Sequence, residues 1–310
     1  MKSAIKSPAT AALATLALAL LPGSLPAAQI PVSPGRRPAA QITVSPGGLI
    51  QDGVNAAGPG DTVLVLPGTY PIPYAADSPW PPGVYISTPG LKLRAAGPPG
   101  SVKIVGEGTI DLSSYPILSG ILIGADNVAV EGFDISGFPT GIEIGGPTTA
   151  DEVDHNTISG CVFGIFLNGS STAGPNWWAH IHDNQVNNQV SDPPWAYAGP
   201  GSGIFVWQAP GCQLDNNKCD NNGNCGIELV NSPGCTLDSN TADGNGSSGI
   251  YLGSSGSPGC AVTNNEANDN GACGIEAWSC SGSWFMNNVT ESNGQYDFAV
   301  KGSNVQSWLK

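Results

Sequence analysis

The sequence is poor in charge, and poorest in positive charge. Only 11% of its 310 residues are Asp, Glu, Lys or Arg, and ten Lys plus Arg face 24 Asp plus Glu, a formal net charge of −14. Such a surface repels the phosphate backbone, so nucleic acid is excluded as a partner. An anionic partner would need a bridging cation or a local basic patch. Long apolar runs are also scarce: after Ala11–Leu21 no stretch approaches the roughly twenty residues a membrane span needs. There is no CxxC pair to suggest a zinc site built from cysteine. The Leu-x-x-Leu-x-Leu pattern of leucine-rich repeats is missing, as are the long Thr-x-Thr rows of a flat ice-binding face. In their place stand 43 Gly and 27 Pro, which exclude a predominantly helical chain. The 40% of hydrophobic residues recur in register, which excludes disorder.

The amino terminus reads as a secretory signal over residues 1–28, with Lys2 and Lys6 ahead of the apolar run and small residues up to Ala27 and Ala28. The protein is therefore expected to be secreted, periplasmic or on the cell surface. Residues 29–47, where Gln29-IPVSPG and Gln41-ITVSPG nearly repeat each other, read as a Pro-rich linker. Residues 301–310 are left as a carboxy-terminal tail.

Between them the chain repeats. Gly-Ile pairs begin at Gly120, Gly141, Gly164, Gly203, Gly226, Gly249 and Gly274, and Asp297-Phe298 fills the next slot, mostly 23 residues apart. A period of this length marks a solenoid whose repeats bury their core against their neighbours. Further columns follow the same register: Cys212, Cys235 and Cys260; Asn217, Asn240, Asn265 and Asn288; and Asn-Gly at Asn222, Asn245, Asn270 and Asn293. Apolar and polar residues alternate beside each column, so the repeats are strands. Propeller blades need about twice this period. A parallel β-helix is left, with like residues stacked at about 4.8 Å. The Asn column reads as an internal hydrogen-bond ladder, and Asn-Gly as the source of positive φ at turns. Eight cysteines are normally a disulfide framework in an exported chain, but Cys212, Cys235, Cys260 and Cys219 sit where small core residues stack and read as free buried thiols, with one vertical disulfide between adjacent coils as the alternative.

Ile50, Val54 and Ala57 share one face of a short helix that leads into "PGDTVLVLPGTY". This helix, that segment and the following coils of "GI-x-[LIV]", "NN" and "NG" resemble the right-handed parallel β-helix superfamily of pectate-lyase-like proteins. The expected fold is thus an all-β, single-stranded right-handed parallel β-helix solenoid over residues 48–300 with a short N-terminal cap helix. The resemblance implies a polysaccharide partner; an enzyme of this kind would be a glycoside hydrolase, lyase or epimerase. The superfamily also contains surface proteins without known catalysis, so a non-catalytic exported or cell-surface adhesion solenoid is the alternative. Lyases of this fold generally use Arg or Lys, yet between Lys103 and Lys301 the only such cation is Lys218. A lyase role would then call on a divalent cation such as calcium.

Two surface patches are candidates for chemistry. The 39-residue interval after Gly164 holds two insertions, Ser170–Trp178 and Val190–Gly201, which carry Trp177, Trp178, Trp195 and Tyr197. With Ile181 pointing inward, His180 and His182 point outward. The register then aligns Asp154, His182, Asp215 and Asp238 in one column and Glu152, His180 and Gln213 in the next. Carboxylates on both sides should raise the imidazole pKa, and a divalent cation would compete for the same atoms. His182 is the candidate acid-base group or metal ligand, Asp154 and Asp215 its orienting partners, His180 and Glu152 the rim, and Trp177 and Trp178 a cover. A second patch, suited to a sugar ring, lies on the Gly-Ile strands: Phe205, Glu228, Tyr251 and Glu276 in one column, Trp207 and Trp278 in the next. Alternating charge and stacked aromatics also stabilise any β-helix surface, so each patch equally fits a purely structural role.

Overall fold

The computed structural model describes residues 37–73, 83–107, 119–146, 148–169, 178–190, 201–253, 256–301 and 306–307. The signal segment, residues 29–36 of the expected linker, most of the expected tail, Trp177, Trp195 and Tyr197 lie outside the described residues. Within them the chain winds through three parallel sheets, here A, B and C in the order each coil visits them. Sheet A has eleven strands, sheet B five and sheet C nine, and neighbours within each sheet come from successive coils. One coil, for example, runs Glu152–Asp154 in sheet A, Thr157–Ser159 in sheet B and Phe163–Asn168 in sheet C. Past Gln185–Asn187 sheet B continues as single bridges through Lys218, Thr241, Glu266 and Val289.

The predicted isoleucine column is present. Ile121, Ile142, Ile165, Ile204, Ile227, Ile250 and Ile275 pair rung to rung in sheet C and are fully buried. The Gly before each Ile has a steric reason: a Cβ on Gly226 would stand 2.7 Å from the Gly249 carbonyl oxygen and 2.8 Å from Asn245 Nδ2.

The asparagine ladder is also present, and longer than the repeat alone shows. It runs from Asn156 and Asn184 through Asn217, Asn240 and Asn265 to Asn288. At each rung the backbone N–H and Nδ2 donate to Oδ1 of the next, as from Asn217 to Asn240 at 2.9 and 3.0 Å. Nδ2 also donates to a strand carbonyl, as from Asn240 to Leu214 O at 2.8 Å. The Asn-Gly column forms a second ladder of the same kind through Asn222, Asn245, Asn270 and Asn293. This corrects the reading of Asn-Gly as the source of positive φ. The residue before each ladder Asn takes it instead, at Asn221, Gly244, Asp269 and Ser292. The Gly is needed for another reason: a Cβ on Gly246, Gly271 or Gly294 would collide with the carbonyl of the coil below.

Two boundaries differ from expectation. Gln41–Val44, assigned to the linker, forms the first strand of sheet A and pairs with Thr62–Val65. Gln306–Ser307, assigned to the tail, forms the last strand of that sheet. Gln41–Val44 lies too far ahead of the Gly-Ile repeat for its spacing to reveal it, whereas Gln306–Ser307 falls within the period but places Ser307 in the inward slot that Phe285 fills one coil earlier. The cap helix, Ile50–Ala56, buries Ile50 and Val54, and Gly53 lets it sit against Val44 and Val63. No helix among the described residues is long and apolar enough to cross a membrane. All eight cysteines are buried, and none is joined in a disulfide.

Candidate functional site

The two patches fall on different sheets. Sheet A carries the histidines. Its register aligns Glu152 with His180 and Gln213, and Asp154 with His182, Asp215 and Asp238, as the repeat predicts. Ile181, fully buried, sends both imidazoles to the outside. There they tilt against each other, ring centroids 4.1 Å apart.

Their partners, however, are diagonal rather than in-column. His180 Nε2 lies 2.9 Å from Asp215 Oδ2, and His182 Nε2 lies 3.2 Å from Glu152 Oε1. His182 Nδ1 is held at 2.8 Å by Asp183 Oδ2, while Asp154 Oδ2 takes His155 Nδ1 at 2.7 Å. Asp154 and Asp215 therefore do not orient His182; Glu152 and Asp183 do. The repeat could not show Asp183 as a partner, because it occupies the positive-φ slot ahead of ladder residue Asn184, where other coils carry Asn216 or Ser239. That turn brings its carboxylate back to the ring.

Burial pulls the His182 imidazole down, but the hydrogen bonds it makes to Asp183 and Glu152 and the charges of Asp154 and Asp183 outweigh it, leaving its pKa above the ordinary histidine value. Asp154 is raised by burial, against which its hydrogen bond to His155 acts. Ligand atoms of Glu152, His180 and His182 all lie within 4.8 Å of one another. Trp178, expected as a cover, is 66% exposed and packs on Gly211, whose Cβ would stand 3.0 Å from its ring.

Sheet C carries the aromatic and acidic residues. Phe205, Glu228, Tyr251 and Glu276 follow one another in the outward column, with Trp207 beside Phe205 and Trp278 beside Glu276. Yet Phe205 is not open to a sugar. It is buried and stacks with Phe166 and Phe163, ring centroids 5.2 and 5.7 Å away. Glu228 is only 2% exposed and accepts a hydrogen bond from Ser202 Oγ at 2.9 Å. Its burial pushes the carboxyl up to about 7.

The Ser202–Glu228 contact recurs. Ser248 Oγ donates to Glu276 Oε2 at 2.8 Å, and Ser119 Oγ lies 2.5 Å from Glu143 Oε2, a buried carboxyl also raised by burial. In each case the Ser precedes a Gly-Ile pair and the Glu follows the Gly-Ile of the next coil. The sequence therefore holds this signal, Ser-Gly-Ile one coil before Gly-Ile-Glu.

Glu276 is the most accessible of the set. Trp278 Nε1 donates to its Oε1 at 2.7 Å, Lys301 Nζ lies 3.8 Å from the same oxygen, and that ammonium stands 4.4 Å over the Trp278 ring. Tyr251 lies half-buried across Gly253, where a Cβ would collide with its ring. Burial and the charges of Glu276 and Glu228 push its phenol up to about 12. Trp207 and Trp278 are 37% and 41% exposed.

Among solved structures the chain is similar to pectate lyase Pel9A, with 16% identity over 87% of this chain and 78% of that one, TM-score 0.58. It is also similar to an alginate lyase from Paenibacillus sp. str. FPU-7, with 14% identity over 86% and 99% of the two chains, TM-score 0.52. A third likeness is to DFA-IIIase from Arthrobacter chlorophenolicus A6, with 13% identity over 81% and 78%, TM-score 0.50. At such identities the likeness is one of fold. A search among curated proteins by sequence finds no match. The right handed beta helix region matches residues 119–306, the stretch that carries the stacked isoleucines and both ladders, and the chain belongs to that family.

Proposed function

We propose that the protein is exported and binds a polysaccharide along the outer face of sheet C. The observation that carries this reading is the pair of half-exposed indoles, Trp207 and Trp278, on one outward column. They stand three rungs apart, about 14 Å at the usual strand spacing. An indole face packs against sugar C–H groups, and Glu276 beside Trp278 accepts hydroxyl hydrogen bonds. Trp278, Ser248 and Lys301 already hold that carboxylate in place, so little order is lost on binding. The names of two of the similar structures, a pectate lyase and an alginate lyase, fit a polysaccharide as the ligand class.

Binding without cleavage is favoured over hydrolysis on this face. Glu228 would have to reach substrate together with Glu276 for a two-carboxylate mechanism, and it is buried under its own hydrogen bond. The test uses the mature protein with a panel of neutral and uronic polysaccharides, with and without calcium. Affinity is followed by calorimetry, bond cleavage by reducing ends and unsaturated products. Expected are binding without cleavage and a loss of at least about ten-fold in affinity for Trp207→Ala and for Trp278→Ala, roughly 1.4 kcal/mol each. Silence across the panel, or full affinity in both variants, would overturn the reading.

A further inference from the structure

We propose that Glu152, His180 and His182 bind one divalent transition-metal ion, zinc by the chemistry of the donors, on sheet A. This site is separate from the sugar-binding face proposed on sheet C.

The donor set is the first argument. Two imidazole nitrogens and one carboxylate make a three-ligand zinc set that leaves a fourth position for water or a ligand. Calcium, which takes six to eight oxygens, is poorly served by it.

Geometry is the second. The three donor atoms lie within 4.8 Å of one another, and His182 Nε2 and Glu152 Oε1 already face each other at 3.2 Å. Ligands around tetrahedral zinc stand roughly 3.4 Å apart when each bond is about 2.1 Å. Small side-chain rotations therefore close the set. The backbone need not move: Glu152 and His180 are register partners on adjacent rungs, and His180 and His182 share one face of one strand.

The third argument is what surrounds the ligands. A metal-bound histidine usually donates its other nitrogen to a carboxylate, which fixes the tautomer and orients the ring. Asp183 Oδ2 sits 2.8 Å from His182 Nδ1 and leaves Nε2 directed at Glu152. Asp215 Oδ2, 2.9 Å from His180 Nε2, brings a second carboxylate to orient that ring or complete the coordination. The arrangement is also confined to this rung. The column that holds Glu152 and His180 carries Ala129 below and Gln213 and Thr236 above, so a repeating structural motif does not account for it.

The experiment uses the untagged full-length chain, stripped with a chelator and titrated with Zn²⁺ by calorimetry and with Co²⁺ by visible absorption. One ion per chain is expected, with cobalt d–d bands of a low-coordinate site. His182→Ala and Glu152→Gln should each weaken zinc at least ten-fold and abolish the cobalt bands, while His155→Ala leaves both unchanged. Asp183→Asn should weaken zinc by about ten- to a hundred-fold. Thermal unfolding checks each fold, and if the His182 variant fails to fold, Glu152→Gln at an exposed side chain gives the same reading. Absence of stoichiometric binding, or binding that survives Glu152→Gln and His180→Ala, overturns the site. Because the readout is metal rather than sugar, that failure would leave the sheet C proposal standing.

Discussion

A carboxyl on the outside of a β-helix is ordinarily solvated and ionised; Glu228 is neither well solvated nor, near neutrality, fully ionised. Its pKa rises from the ordinary 4.5 to about 7 because burial penalises the charged form. Between those values the folded chain keeps a proton that the unfolded chain has released. The stability gained is therefore complete below about pH 4.5, falls as pH rises through 7 and is gone above it. The rise corresponds to about 3 kcal/mol at roughly 1.4 kcal/mol per unit. Buried Asp151, pushed from 3.8 up to about 6 by burial, acts in the same direction. Glu228→Gln keeps a hydrogen-bonding partner for Ser202 and carries no charge. In urea unfolding at pH 8 it should gain up to about 3 kcal/mol over the parent, and the two should converge at pH 4.5. An equal gap at both pH values would refute the buried-acid account. Glycine gives a second residue-scale prediction. Gly226→Ala would push a Cβ against Gly249 O and Asn245 Nδ2, and should cost about 1–3 kcal/mol in the same assay, with little local slack to relieve it.

At the scale of the element, the ladders do what no single strand can: they satisfy the backbone groups released at the turns, the first ladder between sheets A and B and the second between sheets B and C. Removing Asn240 leaves the Leu214 carbonyl without its Nδ2 donor and the Asn217 N–H without its acceptor, while Asn217 Nδ2 keeps only its bond to Ile181 O. Each buried group left unpaired costs about 1–3 kcal/mol. Asn240→Ala should therefore lower the urea midpoint far more than Asn288→Ala, whose rung closes the ladder near its more open end; equal losses would show that the ladder carries no such load. Columns of this kind were legible in the sequence because a stack of near-identical coils repeats its requirements every 23 or so residues. The Ile column, the outward histidines and the Glu–Tyr–Glu order all followed from period and alternation. Side-chain direction did not. The repeat aligns Asp154, His182 and Asp215, but the rings at positions 180 and 182 lean against each other and reach diagonally, to Asp215 and Glu152. Nor could alternation show that Glu228 and Phe205 are buried, since it separates inside from outside and says nothing of what lies over the outside. Gln41–Val44 escaped for a different reason: a first rung has a neighbour on one side only and shows no column of its own.

For the whole molecule the deciding quantity is charge. A formal −14 over 310 residues is carried with few cations to offset it, and those near the candidate surfaces are already engaged. Lys301 lies against Glu276 and over Trp278, Lys218 stands 3.2 Å from Asp220, and Arg94 pairs with Glu131 at 2.6 Å. None of the three stands free to neutralise a uronate. A neutral polysaccharide meets no long-range field from this surface, whereas a polyuronate meets repulsion that salt screens with a Debye length of about 10 Å at 0.1 M. Affinity for a neutral polymer should then be almost flat between about 0.02 and 0.5 M NaCl. Any affinity for a polyuronate should rise over that range, and rise further when calcium bridges the two sets of carboxylates. Lys301→Gln separates field from contact: it removes the ammonium over Trp278, so it should weaken sugar binding at every salt concentration while leaving the slope of the salt dependence nearly unchanged. Polyuronate binding that falls as salt is added would mean instead that a positive surface receives the polymer, and would place the ligand elsewhere than on sheet C.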